Sequence, residues 1–169
     1  MLKPSLKIAF CLALFSAAVQ ADPLISVTGN VVASPCTVDT NTVNKTVDLG
    51  SLQRLDLQNA GEGGDWHDFE LLLTNCPLGT VTVKAQLSGT PAPGDATAWQ
   101  NSGSSGNMAL RITSRDHLTV IAPGSSLTSN VNTSNRTASF LLSAKMFTPQ
   151  GNAVAGTFQS VMNVDFTWQ

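Results

Sequence analysis

The chain has 169 residues, of which 42 % are hydrophobic and only 12 % charged, with nine Lys+Arg against eleven Asp+Glu. One domain, or two very small ones, fits that length. A formal charge of −2 excludes the basic excess of a nucleic-acid binder, and the composition is not that of a disordered tail or a coiled coil. Ser, Thr, Asn and Gly supply the polar surface, and Tyr is absent. This balance points to a β-rich domain with an uncharged exterior.

At the N-terminus, Lys3 and Lys7 precede an apolar run from Ile8 to Val19. The run ends in Val19-Gln20-Ala21, with small residues where a signal peptidase reads. It is shorter than the roughly 20 apolar residues of a membrane span. Residues 1–21 are therefore expected to be a secretory signal peptide. Cleavage leaves 148 residues beginning at Asp22, with seven basic and eleven acidic side chains. Next comes a period-2 pattern in which Ile25, Val27, Gly29 and Val31 alternate with Ser26, Thr28 and Asn30.

Cys11 falls inside the signal, so the exported chain keeps Cys36 and Cys76. Two cysteines in an exported chain point to one disulfide. It would close a loop of roughly 40 residues and contribute on the order of 4 kcal/mol in the chain-entropy model. A metal site competes for the two thiols, but there is no CxxC and only His67 and His117 are available as further ligands. Both cysteines lie early in the chain, which differs from the antibody-type bridge between an early and a late strand.

Further along, His67 to Cys76 reads as a strand with Phe69, Leu71, Leu72 and Leu73, and Val81 and Val83 continue after a Pro77–Gly79 turn. The Gly-, Pro- and Ser-rich stretch from Gly89 to Gly106 reads as a loop or a loosely paired edge. Short strands are expected over Met108–Ile112 and Leu118–Ile121, the second ended by Pro123-Gly124. Another follows on the alternating Ala138, Phe140, Leu142, Ala144 and Met146. No segment sustains a helical apolar stripe beyond one or two turns. Short strands separated by turn signals predict an antiparallel sandwich.

The last strand has the cleanest pattern. Phe158, Ser160, Met162, Val164, Phe166 and Trp168 share one face, and Val161 is the only apolar residue on the other. A chain ending on such a strand must have that face covered by its own domain or by another chain.

Both ends of the exported chain resemble a chaperone–usher pilus (fimbrial) subunit. Gly156 is fourteenth from the C-terminus and Trp168 is the penultimate aromatic. Val27-Thr28-Gly29-Asn30-Val31 and Pro35-Cys36-Thr37-Val38 resemble the N-terminal extension and first cysteine strand. Trp66-His67-Asp68 through Leu73-Thr74-Asn75-Cys76-Pro77 resembles the second cysteine strand. The likeness spans the exported chain, is weakest from Gly89 to Asn135, and is strongest to the minor tip-fibrillum adapter subunit of type 1 fimbriae. The family usually carries Tyr where this chain has Trp168, which keeps the bulk and loses the hydroxyl.

The resemblance implies an all-β, incomplete immunoglobulin-like sandwich of six strands, completed by a donor strand from a neighbouring subunit. It implies a donor extension over residues 22–34, plugged by Ile25, Val27, Gly29 and Val31, and a pilin domain over residues 35–169. Gly156, Phe158, Met162, Val164, Phe166 and Trp168 would form the chaperone and acceptor-groove motif. The implied partners are neighbouring pilus subunits, a periplasmic chaperone and an outer-membrane usher, with no cofactor and no nucleic acid. The implied destination, reached through the periplasm, is a cell-surface fimbrium. In the alternative reading of the residues, Asp22–Ser34 is a strand that pairs within its own domain.

Signals for chemistry are weak. Asp65, His67 and Asp68 cluster beside Gly61–Gly64, but successive strand residues face opposite sides. No Gly-x-Ser-x-Gly or phosphate loop is present. No enzyme, catalytic residue or metal is expected, and a secreted hydrolase is the weakest alternative. A tip carbohydrate-binding adhesin would need a second N-terminal domain, for which 148 residues leave no room.

Overall fold

The computed structural model describes residues 26–30 and 34–169. The chain divides into two compact units, Met1–Val32 and Ala33–Gln169. In the first, Ser26–Asn30 forms no strand and is exposed. The expected signal peptide lies outside the described residues, as do Ile25 and Val31.

The second unit is nearly all β. In chain order it contains β1 (Thr37–Val38), a single helical turn α1 (Thr40–Val43), β2 (His67–Thr74), β3 (Thr82–Ser88) and β4 (Pro91–Ala92). There follow β5 (Asp95–Gln100), β6 (Ala109–Ser114), β7 (Ser126–Asn130), β8 (Ala138–Phe147) and β9 (Asn163–Trp168). Six strands form one sheet in the order β1-β2-β8-β6-β5-β4, and three form a second in the order β7-β3-β9. Every pairing is antiparallel.

Alternation explains the core between the sheets. Phe69, Leu71 and Leu73 of β2 point inward, as do Phe140, Leu142 and Ala144 of β8 and Leu110 and Ile112 of β6. Val83, Ala85 and Leu87 of β3 meet them from the other sheet, and together they form one buried cluster. Each large side chain so buried contributes about 1.5–3 kcal/mol relative to exposure. Cys36 and Cys76 are joined in a disulfide with their Cα atoms 4.1 Å apart. The bridge sits beside the Thr37↔Thr74 pair, so it fastens a strand of two residues that pairing alone would hold weakly.

Several segments differ from the sequence expectation. Gly89–Gly106, expected as a loop or a loosely paired edge, holds the irregularly paired edge strand β4 and also β5, whose Ala98 and Trp99 are fully buried. The Trp99 indole N–H donates to the Ile121 carbonyl at 2.8 Å, so one anchored aromatic orders a stretch whose composition favours turns. The Leu118–Ile121 strand reduces to a single bridge, Thr113↔Val120. There Asp116 and left-handed His117 (φ 62°) turn the chain, and Ser114 and Asp116 accept the local N–H groups. Sequence reading misses β7 altogether, since Ser-Leu-Thr-Ser-Asn turns only Leu127 toward the core. The all-β sandwich is as expected, with six strands in its larger sheet and three in the second among the described residues.

An ion pair ties β5 to β6. Arg111 donates to Asp95 at 2.6 Å and to the Thr97 hydroxyl at 2.8 Å, with its guanidinium 4.4 Å from the centre of the Phe147 ring. The Thr97 hydroxyl, then the Thr97 backbone N–H and the Arg111 charge, hold the Asp95 carboxyl below its ordinary value near 3.8. A depressed folded pKa gives stability that is present above the unfolded value and lost as pH falls through the folded one. Asp95→Asn should lower stability at neutral pH by up to about 1 kcal/mol. In thermal melts that difference from wild type should close as the pH is taken below 3.8.

An open sheet edge and its apolar groove

Among the described residues, strand β9 lies at the edge of its sheet and pairs only with β3, in register from Ser88↔Asn163 to Val83↔Trp168. Thr82 and Gln169 exchange both backbone hydrogen bonds, at 3.1 and 2.9 Å. In an antiparallel ladder such doubly bonded pairs alternate. Asn163, Asp165 and Thr167 therefore direct their main-chain groups to β3, and Val164, Phe166 and Trp168 direct theirs to the open side. The side chains of those same three residues face the core cluster. They are only partly covered, and no residue from Val154 to Gln169 is buried.

Beside this edge runs a groove of about 1490 Å³. Residues of the Val38–Leu52 segment form one wall and Gly156–Phe166 the other, while Phe69, Leu71 and Ile112 lie at its floor. The remaining sheet edges are poor templates: β1 and β4 have two residues each, β4 carries Pro91, and β7 is polar. Short, proline-bearing or polar edges resist pairing with other chains. Among the described residues, only β9 combines an unpaired ladder with an apolar face.

Phe158, Met162, Val164 and Phe166 line the groove, as does Gly156 at its end. Trp168 instead packs on the main core opposite Val83, outside the groove lining. The regular strand begins only at Asn163, later than the alternation from Phe158 suggests. Upstream of that point the chain is held by the loop Asn101–Ser105, which accepts from and donates to Thr157 and Gln159. A Cβ at Gly156 would lie 2.5 Å from the Ser105 nitrogen and 2.6 Å from the Ser104 carbonyl carbon. Close backbone approach is thus what glycine permits at this position. Sequence reading missed this loop and the Val38–Leu52 wall. Asn101-Ser102-Gly103-Ser104-Ser105-Gly106 has the composition of a flexible linker, and nothing in it shows where its hydrogen bonds go.

The candidate chemical cluster does not assemble. Asp68 pairs with Arg115 at 3.4 Å, with both side chains about half exposed. Among the described residues, no group of three or more His, Cys, Asp or Glu side chains is placed to hold a metal ion.

Among the described residues nothing covers this ladder or its apolar groove, which is the arrangement of an incomplete immunoglobulin-like domain. Comparisons place this chain among known proteins of that class. The family model described as "Fimbrial protein" matches residues 25–169. Protein FimG of Escherichia coli strain K12 is 41 % identical over 163 residues, covering 95 % of this chain and 94 % of that protein. The S-fimbrial adhesin protein SfaS of an Escherichia coli O6 strain is 35 % identical, covering 94 % and 91 %. Among solved structures, the P pilus rod subunit PapA superposes with a TM-score of 0.68 at 18 % identity, over 80 % of this chain and 100 % of that one. The chain belongs to the fimbrial protein family, whose members are structural subunits rather than enzymes.

Gly156→Val should destabilise the domain by about 1–3 kcal/mol, since the backbone of Ser104 and Ser105 cannot yield as a side chain would. Gly29→Ala, with open space around it, should leave unfolding unchanged. Urea denaturation of the two variants checks the contrast.

Proposed function

We propose that the chain is a structural fimbrial subunit that polymerises by donor-strand exchange and serves as an adapter near the fibre tip. The observation that carries this reading is the unpaired edge of β9 beside its apolar groove. An extended segment laid along Val164, Phe166 and Trp168 would gain main-chain hydrogen bonds, and its alternate side chains would enter the groove. Residues 22–34 are the corresponding donor for the next subunit, with Ile25, Val27 and Val31 as plugs and Gly29 where the pocket is shallow. Each buried aliphatic plug contributes about 1.5–3 kcal/mol, so three of them with a full ladder make a slowly dissociating joint.

An uncovered groove needs protection before assembly. A periplasmic chaperone holding it, and an outer-membrane usher handing the subunit to the fibre, supply that protection and the route to a cell-surface fimbrium. The adapter position rests on the pattern of the two chain ends together with the likeness to FimG.

One observation favours a second reading. SfaS matches this chain over 91 % of its own length and is named an adhesin, so the name does not require an added N-terminal domain. In that reading the subunit itself carries a carbohydrate site. Glycan-array binding by the assembled subunit, absent when its neighbours are assembled without it, would support the adhesin reading over the adapter one.

A synthetic Asp22–Ser34 peptide supplied in trans should raise the melting temperature of the subunit and suppress its aggregation. A subunit that is stable alone and indifferent to the peptide would contradict the donor-strand reading. Gly29→Trp in the peptide should weaken its effect sharply, because overfilling a fitted pocket is costly.

A further inference from the structure

Donor insertion along β9 alone leaves a mismatch in length. The open side of β9 offers three residues, Val164, Phe166 and Trp168, while the extension presents four alternating positions, Ile25, Val27, Gly29 and Val31. Pairing with β3 stops at Ser88↔Asn163, so something else must hold the chain if the accepting edge is to continue.

The Asn101–Ser105 loop takes over where β3 stops. Ser105 N–H donates to the Thr157 carbonyl at 2.9 Å, and Ser102 N–H donates to the Gln159 carbonyl at 2.7 Å. Thr157 N–H donates to the Ser104 hydroxyl at 2.9 Å, and Gln159 N–H to Asn101 Oδ1 at 2.9 Å. Thr157 and Gln159 thereby have the same odd-numbered register that Asn163, Asp165 and Thr167 have against β3. Between Gln159 and Asn163 neither the loop nor β3 bonds the main chain, so odd-numbered Val161 is bridged rather than paired, and Phe158, Ser160 and Met162 make no backbone hydrogen bond among the described residues. Phe158 and Met162 turn their side chains into the groove and against the core. Asn101 organises the loop, since its Oδ1 also accepts Gly103 N–H at 2.8 Å while its Nδ2 donates to the Ser105 carbonyl at 2.8 Å. Gly103 has to be glycine, because its Cβ would collide with the Thr157 carbonyl.

We propose that Asn101–Ser105 is a surrogate strand that extends the accepting edge from β9 back to Phe158, with Asn101 as the positioning residue that fixes the added length. This inference rests on the strand-accepting reading above. Its consequence is a site long enough for the fourth plug of an incoming extension, so the loop sets how many residues of the donor are engaged.

The test uses the full chain co-expressed with a fimbrial periplasmic chaperone. Three peptides are added, Asp22–Ser34 and two versions shortened to Ser26–Ser34 and Asp22–Asn30, and the rate of chaperone displacement is measured. On wild type the full peptide should outperform the one lacking the Phe158-end plug by about tenfold. In Asn101→Leu that ratio should fall to about one, with the shortened peptide's own rate unchanged. Asn101→Asp keeps the acceptor for Gly103 and Gln159 and should restore the ratio. Because the ratio is taken within each variant, a general loss of stability does not move it. A ratio that persists in Asn101→Leu overturns the surrogate strand. Failure of every peptide on wild type overturns the strand-accepting reading and this inference with it.

Discussion

Among the described residues nothing pairs with the outward main chain of Val164, Phe166 and Trp168, and the rest of the structure is arranged around that open edge. An unpaired ladder in water is tolerable, because water satisfies its N–H and C=O groups. An unpaired ladder beside an apolar groove is not indifferent. A strand that arrives there replaces water on both the polar backbone and the apolar side chains at once. The final strand is therefore half-covered along its whole apolar face, although each of its inward residues has the size and hydrophobicity of a core residue.

Other features serve to confine that exposure to one place. The Cys36–Cys76 bridge holds the two-residue β1 against β2 and so fixes where the groove's Val38 wall begins. Polar β7 and the short, proline-bearing β4 leave the other edges unattractive to a passing chain. The tight approach of Gly156 to Ser104 and Ser105 sets the far end. The low charge of the chain fits this plan, since a subunit that packs against neighbours of its own family gains little from a strongly charged exterior.

Sequence alternation carried much of this. Phe69, Leu71 and Leu73, the Ala138–Met146 run and the Val164–Trp168 end all appear as strands because one face is buried and the other is not. The pattern failed where side-chain chemistry and backbone pairing part company. Strand β7 exists because β3 needs a partner, and its polar residues give no sign of it. Leu118–Ile121 has the composition of a strand and keeps two backbone bonds to β6, Ser114 N–H to Thr119 C=O and Ile121 N–H to Ile112 C=O, but Asp116 and Ser114 side chains take the Leu118 and Thr119 N–H groups for a turn. At Phe158–Met162 the alternation is genuine, yet β3 does not reach it, and its flanking residues Thr157 and Gln159 bond instead to an Asn/Ser/Gly loop. Long-range backbone pairing of that kind leaves no periodic mark in the loop that provides it.

Strand acceptance depends on which amides of the last strand are unpaired, and residue-resolved hydrogen exchange measures that directly. In the isolated subunit, the N–H groups of Val164, Phe166 and Trp168 should exchange quickly while those of Asp165 and Thr167 are protected, and assembly into fibre should protect all five. Equal protection of all five in the isolated subunit would mean that the edge is already paired, and the missing strand would not be missing.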